Sequence, residues 1–173
     1  HMRAQGGGRI VNITTPGGKA PGPASVPTSV SLAAGIALTK ELSKDYAKDN
    51  ILVNTVCIGL IKSGQNRKAW ERARVDRPDL TEQGYYEERG KSVPVGRVGE
   101  ASEAGDLIAF LVSDRAAYIT GTSVNIDGGS SDWQWGGELN DDNSPVTWSD
   151  SSSPGALKSL TDALNGALQD DPT

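Results

Sequence analysis

Histidine and cysteine are almost missing from this chain: His1 and Cys57 are the single examples in 173 residues. A metal site needs several clustered nitrogen or thiolate ligands, so none is expected. One cysteine cannot close an internal disulfide, and Cys57, set in an apolar run, reads as core packing. Aromatic residues make up 5% of the chain and apolar residues 36%, which predicts a core of small and aliphatic side chains. No apolar run approaches the ~20 residues that span a bilayer. The start, residues 1–8, is polar and glycine-rich and carries no apolar leader segment, so a cytoplasmic location is the expectation. Positive charge is also scarce, the formal net charge being −5. A nucleic acid or an anionic membrane demands a clustered positive field, so neither is expected as a partner.

The charge is divided unevenly. Residues 130–173 hold eight acids, seven Asp and Glu138, against Lys158, which leaves that segment at −7 and the first 129 residues at +2 of the total −5. The chain therefore reads as a body, 1–129, followed by an acidic tail, 130–173. Trp133, Trp135 and Trp148 interrupt the Ser, Asp, Asn and Gly of the tail, a mixture that a purely disordered linker seldom carries, and an ordered coil lying on the body is expected. Ser153-Pro154 then reads as an N-cap followed by proline at the first helical position. Leu157, Leu160, Leu164 and Leu168 share one helical stripe, which predicts a short amphipathic helix packed on its own domain or on a twin subunit.

Within the body, strand-like and helix-like apolar periods alternate, the pattern of crossover units in a parallel sheet. Arg9 to Thr15 is a β-branched run, Ser25 to Lys48 is helical, and Ile51 to Ile58 is the next strand. A long polar segment, Lys62 to Val98, resembles a lid or substrate loop by its length, with a few turns of helix near Asn66 to Arg74. Ser102 to Ser113 is the next helix, and Ser123 to Ile126 the last strand, closed by the turn Asp127-Gly128-Gly129. Along the first helix Val30, Ala33, Ala34, Ala37, Leu38, Leu42 and Tyr46 recur at three- and four-residue steps, small enough for a neighbouring helix to come close.

Four blocks in this order resemble the carboxy-terminal half of the short-chain dehydrogenase/reductase family. Gly7 to Thr15 is similar to the strand that ends in that family's catalytic serine. Asn54-Thr-Val-Cys-Ile-Gly-Leu-Ile-Lys-Ser63 is similar to its N-x-V-x-P-G-x-I-x-T segment, with Ile58 in place of the proline. Arg97-Val-Gly-Glu with the helix Ala101 to Ser113, and then Tyr118 to Gly129, complete the series. The resemblance covers roughly residues 3–129. It implies an α/β fold, a partial doubly wound (Rossmann-like) parallel sheet made of the last three strands and their helices, to which the acidic tail with its short amphipathic helix is added.

In that family a serine, a tyrosine and a lysine four residues later manage the proton while NAD(P) carries the hydride. The family's spacing puts Thr15 at the serine position, Thr28 at the tyrosine position and Leu32 at the lysine position. Thr15 keeps a hydroxyl that can hold a carbonyl oxygen. Thr28 titrates far outside a useful range, and Leu32 can supply neither charge nor a hydrogen bond. Tyr46, eighteen residues along the helix from Thr28 and so ~27 Å away, cannot substitute, whereas Tyr85 and Tyr86 could fold over a pocket from the polar segment. Lys19 reads as a solvated loop residue, and Asp127 as a turn residue. Gly59, Ile61 and Ser63 match positions that the family sets against the cofactor.

The glycine-rich turn that cradles a dinucleotide phosphate follows the first strand of such folds and opens a helix. Gly6-Gly7-Gly8 precedes a strand, and Gly17-Gly18-Lys19 runs into Ala20-Pro21-Gly22-Pro23, which cannot open that helix. NAD(P) is therefore implied by resemblance alone and is not expected to bind this chain by itself. Three functions stay open: a non-catalytic, self-associating relative of the oxidoreductases; half of an NAD(P)-dependent carbonyl/hydroxyl oxidoreductase completed by a missing amino-terminal, nucleotide-binding half; and an interaction module working through the acidic, Trp-bearing tail. The strand Arg9 to Thr15 would be interior in the family's sheet, and the family commonly uses the following helix in dimer contacts. A homo-oligomer, most simply a dimer, is expected to bury one or both of them.

Overall fold

The computed structural model describes residues 1–131, all within one compact unit. The expectations for the tail, its three tryptophans and its leucine-striped helix lie outside the described residues. Three strands, β1 (Gly8–Thr14), β2 (Ile51–Ile58) and β3 (Ser123–Ile126), form one parallel sheet in the order β1-β2-β3. Register runs from Gly8 opposite Ile51 to Thr14 opposite Cys57, and from Thr55 opposite Ser123 to Ile58 opposite Ile126. The central strand is covered on both faces, which is why Ile51 to Cys57 are all buried and read as a continuous run rather than an alternating one. This is the partial doubly wound sheet that the resemblance implies.

The first helix, α1 (Thr28–Tyr46), begins three residues later than its pattern suggests. Pro27 stands at its N-cap, and the preceding Pro21 and Pro23 keep the chain irregular after the short 3₁₀ turn Pro16–Gly18. The residues that α1 buries are Ser29, Thr39 and Ser43, not its aliphatic ones. Thr39 explains the choice. Its hydroxyl accepts from the Asn12 amide at 2.8 Å and from the Thr55 hydroxyl at 2.7 Å while donating to the Gly35 carbonyl at 3.0 Å, so it ties α1 to β1 and β2 at once. Ala33, Ala34 and Ala37 face outward, with Val30 61% and Leu38 50% exposed.

The polar segment after β2 departs most from its sequence reading. The helical turns expected near Asn66 to Arg74 are α2 (Gly64–Asp76), and the stretch read as loop after them holds a further helix, α3 (Glu82–Gly90). The Ser63 hydroxyl caps α2 by accepting from the Asn66 amide, and the Thr81 hydroxyl caps α3 by accepting from the Gly84 amide. The two helices close over a small core of their own, in which Leu80, Tyr85, Tyr86 and Val98 pack with Leu60, Ala69, Trp70 and Ala73. The Trp70 indole donates to the Leu80 carbonyl at 2.9 Å. The last helix, α4 (Ala101–Val112), starts in a capping box formed by Glu100 and Glu103. Arg97 grips the same Glu103 through both guanidinium nitrogens, at 2.8 and 2.7 Å. These bonds, together with the Glu100 amide, hold the Glu103 carboxyl down to about 2.

Candidate functional site

Open parallel sheets bind ligands outside the carboxyl ends of their strands. Here those ends are Thr14, Ile58 and Ile126, so the candidate site is built from Thr15 to Lys19, Gly59 to Ser63 and Asp127 to Gly129. Thr15 is exposed just beyond β1, and its carbonyl accepts the Gly18 amide at 3.1 Å. Thr28, the first residue of α1, is exposed as well. Ser29 of α1 borders the same turn: a methyl group at Gly17 would sit 3.4 Å from Thr15 Oγ1 and 3.9 Å from Ser29 Oγ. Sequence reasoning did not single out Ser29; the Ser25/Ser29 pair, one helical turn apart, was its signal. Ser29 donates to the Ser25 hydroxyl at 2.7 Å, and Ser25 donates to the Gly22 carbonyl at 2.6 Å. The proton of Ser29 is thus committed, and toward anything else it can only accept.

Leu32 lies half-buried under the turn after β1. A Cβ at Gly18 would come within 3.0 Å of both its Cβ and its carbonyl carbon, so the loop rests directly on this side chain. Lys19, read from the sequence as solvated, is anchored instead. Its ammonium donates to the Ser123 carbonyl at 2.6 Å and to the Asn125 side chain at 2.7 Å, because the turn Pro16–Gly18 aims the chain across β2 toward β3.

At the other strand ends, Gly59 is required by a close approach: a side chain there would meet Asp127 Cβ at 2.5 Å and Cα at 2.6 Å. Ile61 bridges to Gly99 in a short parallel pairing, and Ser63 is the exposed cap of α2. Asp127 is the turn residue its sequence suggests, accepting from the amides of Gly129 and Ser131 and from the Ser131 hydroxyl. The cavity between Ile61, Val93, Val95 and Asp127 is about 60 Å³, well below the ~300 Å³ of small-molecule pockets.

Tyr85 and Tyr86, read from the sequence as able to fold over a pocket from a loop, stand instead on α3 in the core it shares with α2, ring centroids 5.7 Å apart and nearly edge to face, and Tyr86 also lines a cavity of about 200 Å³ with Lys62, Gln83 and Glu87. Burial pushes the Tyr86 phenol up, with the charge of Glu82 adding to it, which takes it further from any role as an acid near neutral pH. Cys57 is fully buried, its sulfur 3.3 Å from the Ser123 hydroxyl. Among the described residues no three His, Cys, Asp or Glu side chains gather as a metal site, and no helix is long and apolar enough to cross a membrane.

The described residues do not fit a dinucleotide phosphate. Gly8 is backed by Met2, whose sulfur would lie 2.5 Å from an added Cβ, and Gly7 is backed by Asn50 at 2.6 Å, so these glycines serve packing at the start of β1. Gly18 is spent on Leu32, and residues 19–27 intervene before α1 begins. No helix N-terminus follows either glycine run directly, as a phosphate cradle requires.

Comparison with known proteins places this geometry. A family model described as Enoyl-(Acyl carrier protein) reductase matches residues 1–131. NADPH-dependent reductase BacG of Bacillus subtilis is 35% identical over 123 residues, which are 71% of this chain and 47% of BacG. The crystal structure of L-sorbose reductase from Gluconobacter frateurii, complexed with NADPH and L-sorbose, superposes with a TM-score of 0.71 at 29% identity, covering 77% of this chain and 51% of that one. A short chain oxidoreductase from Pseudomonas aeruginosa, described as containing an atypical catalytic center, superposes at 0.66 with 34% identity over 73% of this chain and 48% of its own. The chain spans less than half the length of the curated relatives it matches.

Proposed function

Since the chain belongs to the short-chain dehydrogenase/reductase family, its chemistry is judged at that family's proton-handling positions, and from them we propose a non-catalytic, self-associating member. The observation that carries this reading is the pair Thr28 and Leu32. The first is a solvent-facing hydroxyl, the second an aliphatic side chain beneath the Gly17-Gly18 turn. General acid–base catalysis contributes ~10²–10⁴-fold, and neither residue supplies it. Thr15 remains as a hydroxyl without its two co-workers. Gly59, Ile61 and Ser63 are vestiges of a nicotinamide-side loop, and among the described residues no phosphate cradle accompanies them. The protein is a cytoplasmic homodimer in this reading.

The test is direct. Titration of the purified chain with NADH and NADPH, followed by calorimetry and by nucleotide fluorescence, should give no saturable binding. A dissociation constant below ~100 μM, about −5.5 kcal/mol, would overturn the reading.

A second reading is supported by the share of the relatives that the chain covers, about half of BacG and of L-sorbose reductase. In it the chain is the carboxy-terminal half of an NAD(P)-dependent oxidoreductase whose nucleotide-binding half comes from elsewhere. A reconstituted complex should then bind cofactor yet reduce carbonyls feebly, and Thr28→Tyr combined with Leu32→Lys should raise that activity. Turnover of the unaltered complex at ordinary rates, ~1–10³ s⁻¹, would show that another group is the acid.

A further inference from the structure

Beside the strand-end site lies a second concavity, built on the segment that follows β2. Ile61 bridges to Gly99, the Lys62 amide donating to the Gly99 carbonyl at 2.8 Å and the Gly99 amide to the Leu60 carbonyl at 3.1 Å. Successive side chains of such extended backbone turn to opposite sides. Ile61 and Gly99 therefore line the 60 Å³ cavity next to Asp127, while Lys62, Val98 and Glu100 line the other, about 200 Å³, together with Gln83, Tyr86 and Glu87 of α3. Arg97 stands between the two. At the ~30 Å³ that one water occupies, the larger cavity holds about seven groups of that size.

Most polar groups around this cavity are already matched. Arg97 donates to Glu103 and to the Val98 carbonyl. Glu100 accepts from Lys62 and, in its capping box, from the Glu103 amide. Three groups keep unused capacity. Lys62 has three donors and gives one of them to Glu100. Glu87 accepts the Gln83 amide at 2.8 Å, and among the described residues no cation pairs with it. Tyr86 is 6% exposed, yet among the described residues its hydroxyl has no hydrogen-bond partner. A phenol so enclosed normally finds one. Burial holds that phenol neutral, so it has a proton to donate.

The unmatched groups are of complementary kinds. Tyr86 and Lys62 offer donors suited to a carboxylate, and Glu87, the next residue along α3, offers an acceptor suited to an ammonium. The charged lining residues Lys62, Arg97, Glu87 and Glu100 sum to zero, so a ligand of net charge would lie there uncompensated, whereas a zwitterion leaves the balance intact. We infer that this cavity binds a small free α-amino acid, its carboxylate on the Tyr86 hydroxyl and the Lys62 ammonium, its ammonium on Glu87, and its side chain against Val98. The site uses none of the positions that carry the non-catalytic reading, so it stands whether or not that reading does.

Probes that lack one charge at a time test the assignment. Amide NMR of the full chain titrated with L-valine should show saturable shifts at Lys62, Tyr86 and Glu87, with a dissociation constant of about 1 mM or tighter. 2-Methylpropylamine, which lacks the carboxylate, and 3-methylbutanoate, which lacks the ammonium, should each bind about tenfold more weakly or worse. Tyr86→Phe removes the hydroxyl and keeps the ring in its core, and Glu87→Gln alters an exposed side chain, so both should fold, as their spectra would verify. Each should weaken L-valine by about tenfold. Glu87→Gln should in addition leave 3-methylbutanoate unaffected, and this arm decides alone if Tyr86→Phe loses its fold. Absence of saturation far above that concentration would overturn the inference, as would shifts gathered elsewhere or undiminished binding by the variants. An amine that bound as tightly as L-valine would refute the zwitterion and make the cavity a site for simple cations.

Discussion

Thr39 offers the sharpest energetic test, because one hydroxyl there joins three elements. Thr39→Val keeps the shape of the side chain and removes only the oxygen. Two donors lose their acceptor: the Thr55 hydroxyl, 1% exposed, and the Asn12 amide, which is half-buried. Leaving a buried donor unmatched costs ~1–3 kcal/mol, and the partial exposure of Asn12 puts its share at the low end. The lost bond to the Gly35 carbonyl adds little. The sum is about 2–4 kcal/mol, a large part of the ~5–15 kcal/mol that holds a domain together. Thr39→Ser keeps the hydroxyl and should lose under ~1.5 kcal/mol for its methyl group. The assay is urea unfolding at one fixed protein concentration, since association contributes to apparent stability, with the slope checked for constancy. Thr28→Val, at an exposed position one helix end away, is the reference and should stay within ~0.5 kcal/mol. If Thr39→Val fell in that same band, the hydroxyl would not be the joint between α1 and the sheet.

Three other outcomes follow from single positions. Gly59→Ala should destabilise by ~1–3 kcal/mol, measured by thermal unfolding, because its Cβ would strike Asp127 backbone at 2.6 Å. Gly105→Ala, inside α4 with nothing within 4 Å of the added methyl, should stabilise by ~0.5–1 kcal/mol through helix propensity. Glu103 is held down to about 2 by Arg97 and the Glu100 amide. A depressed carboxyl stabilises the fold above its unfolded value near 4.5 and loses that contribution as pH falls toward 2. Glu103→Gln should flatten the stability profile across that window while leaving the rest of the acid limb in place.

The strands were legible because β-branched runs bounded by turn residues have few alternatives: Ile51 to Ile58 coincides with β2, and Ser123 to Ile126 with β3. Thr15, Gly59 and Asp127 each follow directly on a strand or its last residue, so their place at the carboxyl ends of the sheet was legible from the strand pattern. What stayed hidden in the segment after β2, beyond the turns near Asn66 to Arg74, was the second helix, α3. Its core is a satellite of eight side chains, so α2 contributes only Ala69, Trp70 and Ala73 to it and is otherwise covered with charge. Such a helix shows a weak apolar stripe, and its evidence lay instead in the caps, Ser63 before Asn66 and Thr81 before Gly84. The side of α1 that meets the sheet was not legible from its apolar residues for a different reason: the sheet beneath presents Asn12 and Thr55, and a polar floor draws hydroxyls.

The anchoring of Lys19 has a consequence in time. Its two acceptors lie on β3, 104 and 106 residues further along the chain. A bond between groups so distant in sequence forms only after the intervening loop has closed, which places it late in folding. β1 and β2 can pair and receive α1 beforehand, and the turn after β1 then rests on Leu32, but the bonds from Lys19 to β3 wait until β3 arrives. During synthesis, these two bonds must therefore wait for more than a hundred further residues to emerge, so the strand-end turn reaches its final tether only when the last strand of the sheet is in place.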